Sequence, residues 1–289
     1  MLRYLKYKEI DKPKWDDCID HSVNALPYAY SWYLDITAKK NWNAIIIDNY
    51  KAVFPVPVKN FIAFKKVYQP FFTQQLGLFV TDKIYFNKLD DCIALLKKKY
   101  RSIYLHLNVQ NIIPEQGKRI THHLRLNNSY DTIYHNYSSV VKKNLKSFQH
   151  KVVSIVEELP ISIFIEFVKK YVGNKAQELK HKDFILLQHL IETSIEKEKG
   201  FIRCAKNMEG EVLSAAFILK SNNYLIYLVA ASSPEGRKNQ TMTLLIDSVI
   251  KEYANANYIL DFEGSMIPGI ANFYKTFSAT EISFPVINK

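Results

Sequence analysis

Glycine is scarce in this chain, with 8 residues in 289. Neither a G-x-S-x-G elbow nor a G-x-x-x-x-G-K-[ST] loop occurs, which removes serine hydrolases built on that elbow and P-loop nucleotide hydrolases from consideration. Cys18, Cys92 and Cys204 are odd in number and far apart, and no C-x-x-C spacing exists. That excludes a disulfide scaffold and a structural zinc site. His122 and His123 are adjacent on an expected strand, where neighbouring side chains point to opposite faces, so they make a poor metal site. No run approaches the ~18 apolar residues of a membrane span, and residues 1–8 lack an apolar signal-peptide core. The expectation is a reduced, soluble, cytoplasmic protein with no metal and no tightly bound cofactor.

Aromatic and basic residues, by contrast, are plentiful. There are 19 Tyr and 17 Phe, enough for large cores or stacking surfaces, and 48% of residues are hydrophobic. The formal net charge is +11. Such a charge favours an anionic partner such as nucleic acid or a nucleotide-bearing donor, unless lysine serves only to solubilise the surface.

Periodicity gives an alternation of elements. A strand over 1–10 precedes helices over 11–22 and 31–40, the second capped by Ser31. Strands follow at 42–48, 51–59 and 61–68. Pro55 and Pro57 place the middle one at a sheet edge, because proline donates nothing to a ladder. A helix over 83–100 precedes strands over 102–107 and 120–126. Ser129 is expected to cap one long amphipathic helix with Ile133, Tyr137, Val141, Leu145 and Phe148 on its inner stripe. Its outer face carries Lys142, Lys143 and Lys146, either a phosphate-binding face or a solvated one. Further helices are expected over 160–171 and 182–197, then strands over 201–207, 212–220 and 224–232. A helix over 241–254, a strand over 258–262, a short helix near 271–277 and a closing strand complete the chain. Both halves run strand, helices, antiparallel strands, helix, strand, although no residue-level repeat is visible. No Gly/Ser-rich or Pro-rich linker separates them, so two tightly joined lobes are expected, 1–127 and 128–289.

The last third is the most informative. An apolar strand containing Val229, Ala230 and Ala231 breaks at Ser232-Ser233-Pro234-Glu235-Gly236. A basic polar turn follows, Arg237-Lys238-Asn239-Gln240, and Thr241 and Met242 open a helix. Strand, turn and helix in that order bring backbone N–H groups and a positive helix end to an anionic group.

On these residues the chain resembles the GNAT acyltransferase superfamily, and within it the Fem-type subgroup, which carries two such folds in tandem. The resemblance rests on the helix around Val141-Lys142-Lys143-Asn144, the strand 224–231 with its turn, and Asp261-Phe262-Glu263-Gly264-Ser265 followed by Gly269 to Phe277. Gln74-Gln75-Leu76-Gly77 also resembles the first lobe of such proteins. The implied fold is α/β of α+β character, with two tandem GNAT-like lobes, each a mixed, mostly antiparallel sheet flanked by helices. The implied activity is transfer of an acyl or aminoacyl group from acyl-CoA or aminoacyl-tRNA to an amine, on a small molecule or a cell-envelope precursor. The implied donor-binding residues are Val229, Ala230, Ala231, Arg237, Lys238, Asn239, Gln240, Thr241 and Met242. The chain departs from the GNAT pattern here, with Gln240 where close approach of pyrophosphate calls for glycine. The alternative function is therefore a GNAT-like module whose donor site has decayed, binding tRNA or another anion.

Amide formation needs a positioned donor, a deprotonated amine and a proton for the leaving group. The resemblance places Tyr274 as the proton donor and Lys275 as a stabiliser of developing negative charge. Asp261 and Glu263 end a strand and share a face by alternation, so either carboxylate is a candidate to take the amine proton or hold an acceptor's ammonium, with Glu263 favoured. Ser265 is a further hydrogen-bonding candidate, or a cap. Tyr68, Gln74 and Gln75 are candidates for substrate contact from the first lobe, or for structural amide bonding.

Overall fold

The structure, a computed structural model, describes residues 1–61, 64–113, 117–148, 153–156, 159–172, 179–264 and 268–289. Its elements run β1 (Leu2–Leu5), α1 (Lys12–Asp20), α2 (Ser31–Thr37), β2 (Trp42–Ile47), β3 (Ala52–Phe61), β4 (Phe64–Val67), β5 (Phe79–Val80), α3 (Leu89–Lys99) and β6 (Tyr104–His106). They continue with β7 (Lys118–Arg125), α4 (Tyr130–His135), α5 (Ser139–Phe148), β8 (Ser154–Val156), α6 (Ile161–Val172), α7 (His181–Glu196), β9 (Gly200–Lys206), β10 (Val212–Lys220) and β11 (Tyr224–Ser232). The last are α8 (Pro234–Asn239), α9 (Thr241–Tyr253), β12 (Ile259–Asp261), α10 (Pro268–Lys275) and β13 (Thr280–Asn288). The result is a mixed α/β fold of mainly antiparallel sheets flanked by helices. The chain forms two compact units, Met1–Ile120 with Ile282–Lys289, and Thr121–Glu281. This division differs from lobes of 1–127 and 128–289 at both ends: residues 121–127 join the second unit and residues 282–289 return to the first.

In the first unit the strands order β1-β2-β3-β4, with β5 also on β3, while β6 pairs antiparallel with β13. β3 is therefore interior, not the edge that its prolines predict. The reason is where the prolines point. Val58 N–H bonds Asn41 O on the β2 side, while Pro57 O accepts Tyr68 N–H on the other. Alternation puts the nitrogens of Pro55 and Pro57 on that second side. There, β5 covers Ala52 and Val53, and β4 covers β3 only from Val58 onward. The missing Pro55 donor falls in the gap between the two partners and costs no ladder bond, while Pro57, opposite Tyr68 at the end of the β4 ladder, accepts one bond there and leaves its reciprocal unmade.

Helix boundaries differ from the periodicity in instructive ways. Tyr30, not Ser31, is the N-cap of α2. Ser31 is its first residue, and both its N–H and its hydroxyl donate to the Asp16 carboxylate at 2.7 Å, so a side chain of α1 supplies the cap. The expected helix over 83–100 begins as a 3-10 turn over Lys83–Lys88 before α3. Ser129 does cap a helix, accepting from Thr132 N–H. That helix stops at His135, and α5 starts anew at Ser139. The break is held by Ser278 Oγ donating to Asn136 O at 2.9 Å and Ser138 N–H donating to Thr276 O at 2.9 Å, bonds that a continuous helix would not leave free.

In the second unit the strands run β7, β12, β11, β10, β9, β8, with β11 and β12 parallel. Leu124, Leu225, Leu260, Phe262, Tyr274 and Phe277 share one core with Ile246 and Val249 of α9. Phe262 stacks on Tyr274 with centroids 4.8 Å apart, and Phe273 meets Phe277 edge-on at 5.4 Å. Each fully buried side chain of this size contributes about 1.5–3 kcal/mol, so this cluster fixes α10 against the end of β12. No described helix is long and apolar enough to cross a membrane.

Candidate functional site

The site forms where β11 outruns β12. Only Tyr224, Leu225 and Ile226 pair with β12, opposite Ile259, Leu260 and Asp261. β11 continues for six more residues against β10, as far as Ser232 opposite Ser214. The register shifts between Phe217 and Ile218, which face Val229 and Tyr227, so Leu228 has no residue opposite and forms a bulge. A bulge adds twist and bends the strand, here at the point where β11 parts from β12. A cleft of about 820 Å³ opens there. Residues 227–232 form one wall and Phe262, Glu263 and Gly264 the other. Ile270, Phe273 and Tyr274 of α10, with Arg237, Met242 and Tyr171, complete it.

The β11 wall is exposed backbone as much as side chain. Ser233 N–H bonds Leu213 O on the β10 side. Alternation then turns the N–H and C=O of Ala230 and Ser232 toward the cleft. The Ser232 carbonyl is taken by Arg237 Nη1 at 2.5 Å, which tethers that guanidinium at one end of the wall.

At the other end stand Glu263 and Tyr274. Glu263 is half-buried in a left-handed backbone conformation, φ 57°. That conformation is uncommon for a residue with a side chain. Its N–H donates to Asp261 Oδ1 at 2.8 Å, so the preceding carboxylate supports the turn. Burial, and then the nearby Glu263 and Asp261 carboxylates, raise the Tyr274 phenol well above its ordinary pKa. It is a protonated donor throughout the neutral range. Tyr227 is raised the same way, by burial first and Tyr274 second.

The other expected residues have different surroundings. Asp261 is buried, accepts from the Thr121 hydroxyl and lies 3.2 Å from His123 Nε2, a set of contacts internal to the sheet. Lys275 is outside the cleft lining and pairs with Glu281 at 2.8 Å. Val229, Ala230, Ala231, Arg237 and Met242 line the cleft; Lys238, Asn239, Gln240 and Thr241 do not. The expected turn 237–240 is in fact the second half of α8, closed by Gln240 at φ 58°. Gln240 Nε2 donates to Arg237 O at 2.8 Å, and the Thr241 hydroxyl contacts Ser214 Oγ at 2.7 Å, so both are engaged within the unit. Lys142 donates to His135 O at 2.6 Å, and Lys143 is exposed. Ser265 lies outside the described residues. In the first unit, Gln75 is buried, accepting from Val109 N–H at 3.0 Å and donating to Gln74 Oε1 at 2.6 Å. Tyr68 has Lys59 Nζ 4.4 Å from its ring centroid, and burial raises its phenol. Burial pushes the Cys18 and Cys92 thiols up to about 12, which leaves them inert.

Sequence reasoning missed Tyr171, Tyr227, Phe262, Ile270 and Phe273 as cleft-lining residues. Their spacing marks core, which is the role that most of their surface also plays. Next to the cleft His122 is buried against the Tyr274 ring, centroids 5.7 Å apart, with neither ring nitrogen bonded among the described residues. Burial, and then Lys275, hold it toward the neutral form.

No protein-family model and no curated protein sequence matches the chain. Solved structures do. FemX aligns over 98% of this chain and 96% of its own, with TM-score 0.71 and 13% identity. A C-terminal domain assigned to lysylphosphatidylglycerol synthetase from Agrobacterium fabrum aligns over 96% and 91%, with TM-score 0.62 and 8% identity. L-PGS from Bacillus licheniformis aligns over 96% and 92%, with TM-score 0.58 and 10% identity. The chain thus has a FemX-like fold.

Proposed function

We propose that the chain is an acyltransferase that moves an acyl or aminoacyl group from acyl-CoA or aminoacyl-tRNA to an amine. The observation that carries this reading is the joining of three things in one cleft: the bared β11 backbone, Glu263 and Tyr274. An acyl-CoA adds to the strand through Ala230 and Ser232 by the amides of its pantetheine arm, as peptides add to sheet edges, and an aminoacyl-tRNA offers its aminoacyl carbonyl to the same N–H groups. The amine nitrogen attacks the donor carbonyl; the new C–N bond forms as the C–S or C–O bond breaks. Glu263 takes the proton from the amine nitrogen, and Tyr274 gives its proton to the departing sulfur or oxygen. The likeness to FemX and to structures assigned to lysylphosphatidylglycerol synthesis supports a donor charged with an amino acid, and an acceptor belonging to the cell envelope.

The test is turnover by the purified full chain with acetyl-CoA, longer acyl-CoAs and aminoacyl-tRNAs against a panel of amines, envelope precursors included. Glu263→Gln and Tyr274→Phe should each lower the rate by about 10²–10⁴-fold. Wild-type rates in both variants would refute the assignment of roles. A second reading, a tRNA- or anion-binding module, is favoured by one observation: four of the expected donor-loop residues lie outside the cleft lining. It predicts no turnover with any donor, together with tRNA binding that weakens as salt rises.

A further inference from the structure

The first unit carries a second large cleft, of about 940 Å³, that shares no residue with the one above. Its composition is sharply divided. Tyr4, Tyr7, Asn43, Phe64 and Tyr100 line it with rings, hydroxyls and an amide. Lys6, Lys8, Lys65, Lys99 and Arg101 are the exposed cations around them. Glu9 is the one carboxylate in the lining, and its Oε2 accepts from Lys6 N–H at 2.6 Å, so it is committed to its own turn. Among the described residues none of the five cations is in an ion pair.

The polar groups beneath are neutral. Tyr4 and Tyr100 share a hydroxyl–hydroxyl bond, with Asn43 Nδ2 3.4 Å from the Tyr100 oxygen. Burial, then the bond to Tyr100, raises the Tyr4 phenol, so Tyr4 keeps its proton. The C-terminal end of α3, whose carbonyls would repel an anion, is covered. Lys289 Nζ donates to the carbonyls of Lys97 and Tyr100, and its charge adds to the local field. Lys99 Nζ sits 4.4 Å from the Tyr4 ring centroid, which bridges the cationic rim to the aromatic floor. Five cations without carboxylate partners around a concave, aromatic, hydrogen-bonding floor match a ligand that is anionic at one end and planar and polar at the other.

We propose that this cleft binds a nucleotide unit, with its phosphates on Lys65, Lys99 and Arg101 and its base or sugar against the tyrosines and Asn43. A free nucleotide and a single-stranded nucleic acid both present that chemistry. The experiment uses the full chain and titrates inorganic pyrophosphate, ADP and a hexauridylate oligonucleotide by calorimetry at several salt concentrations. ADP or the oligonucleotide should bind about tenfold more tightly than pyrophosphate, since stacking and hydrogen bonding on the floor add to charge. Affinity should fall as salt rises. Lys65→Glu with Lys99→Glu should weaken binding about tenfold or more through lost attraction, whereas Lys83→Glu with Lys40→Glu, an equal charge change on exposed lysines elsewhere in the unit, should change it little. A tighter oligonucleotide identifies nucleic acid as the source, and a tighter ADP identifies a free nucleotide. Pyrophosphate binding as well as ADP and the oligonucleotide, equal losses in the two double variants, or no binding of any probe at low salt would each overturn the proposal.

Discussion

Each unit contains one strand longer than its neighbours on one side, and the two gaps are finished differently. In β3 the uncovered stretch between β5 and β4 carries Pro55 and ends at Pro57, whose carbonyl accepts Tyr68 N–H. In β11 the stretch beyond β12 carries Ala230 and Ser232, whose N–H and C=O groups turn to a cleft. The first gap presents no proline donors and both prolines are buried; the second keeps its donors and opens onto Glu263 and Tyr274. A break in pairing is inert or receptive according to whether its residues can donate. Under the proposed function the second gap, rather than the first, receives the donor.

Of the changes that act on this contrast, the largest expected effect comes from converting the receptive gap into the inert kind. Ala230→Pro removes an N–H that makes no bond to β10, so the ladder survives while the donor's partner is lost. Transfer should fall by about tenfold to a hundredfold, the equivalent of one or two hydrogen bonds to a bound donor. Circular dichroism should show an unchanged fold. An unaltered rate would mean that donors do not lie along β11.

Acidification probes the other side of the comparison. The loop after β4 is tied down by His106, whose Nδ1 donates to Gln74 O at 3.0 Å and whose Nε2 faces the Tyr104 hydroxyl at 3.2 Å. Burial pushes its pKa down to about 4 from an ordinary 6.5. The folded state therefore resists a proton that the unfolded chain accepts. Stability from this residue is complete above about pH 6.5 and is lost as pH falls toward 4, by up to about 3 kcal/mol. Urea titrations at several pH values should show that limb in the wild type and a flatter one in His106→Gln.

The smallest effect concerns the inert gap itself. Pro55→Ala restores a buried N–H with no strand opposite and loosens the unfolded chain, so it should destabilise by about 1–3 kcal/mol. A neutral or stabilising result in denaturant titration would show that this gap does hold a ready acceptor, and the contrast between the strands would weaken.

Much of this was legible in the sequence, and the exceptions share a cause. Periodicity located most of the helices and strands because their stripes are local. Val229, Ala230, Ala231, Glu263 and Tyr274, named from the sequence, line one cleft, since a strand, a carboxylate before a glycine and a tyrosine on a short helix keep their order along the chain. What failed depended on partners distant in sequence. Pro55 and Pro57 read as an edge until β4 and β5 show which side they face. Ser31 read as a cap until Asp16 supplies one. The break at Asn136 depends on Ser278 and Thr276. Lys275 looked free to meet a substrate until Glu281, on the last strand, is seen beside it. The residues 237–240 read as a polar turn, yet Ser233 caps α8 through Gly236 N–H, and only glycine fits at position 236 because a Cβ there would lie 2.0 Å from Leu213 O. The one glycine of this turn thus serves packing of α8 on β10.

The account turns on whether the bared edge of β11 receives the donor. Hydrogen exchange of the Ala230 and Ser232 amides, with and without acetyl-CoA or aminoacyl-tRNA, tests this directly. Both amides should exchange quickly in the free protein and slow by about tenfold or more when the donor that supports turnover is bound. Exchange that stays the same while that donor is bound and consumed would contradict it.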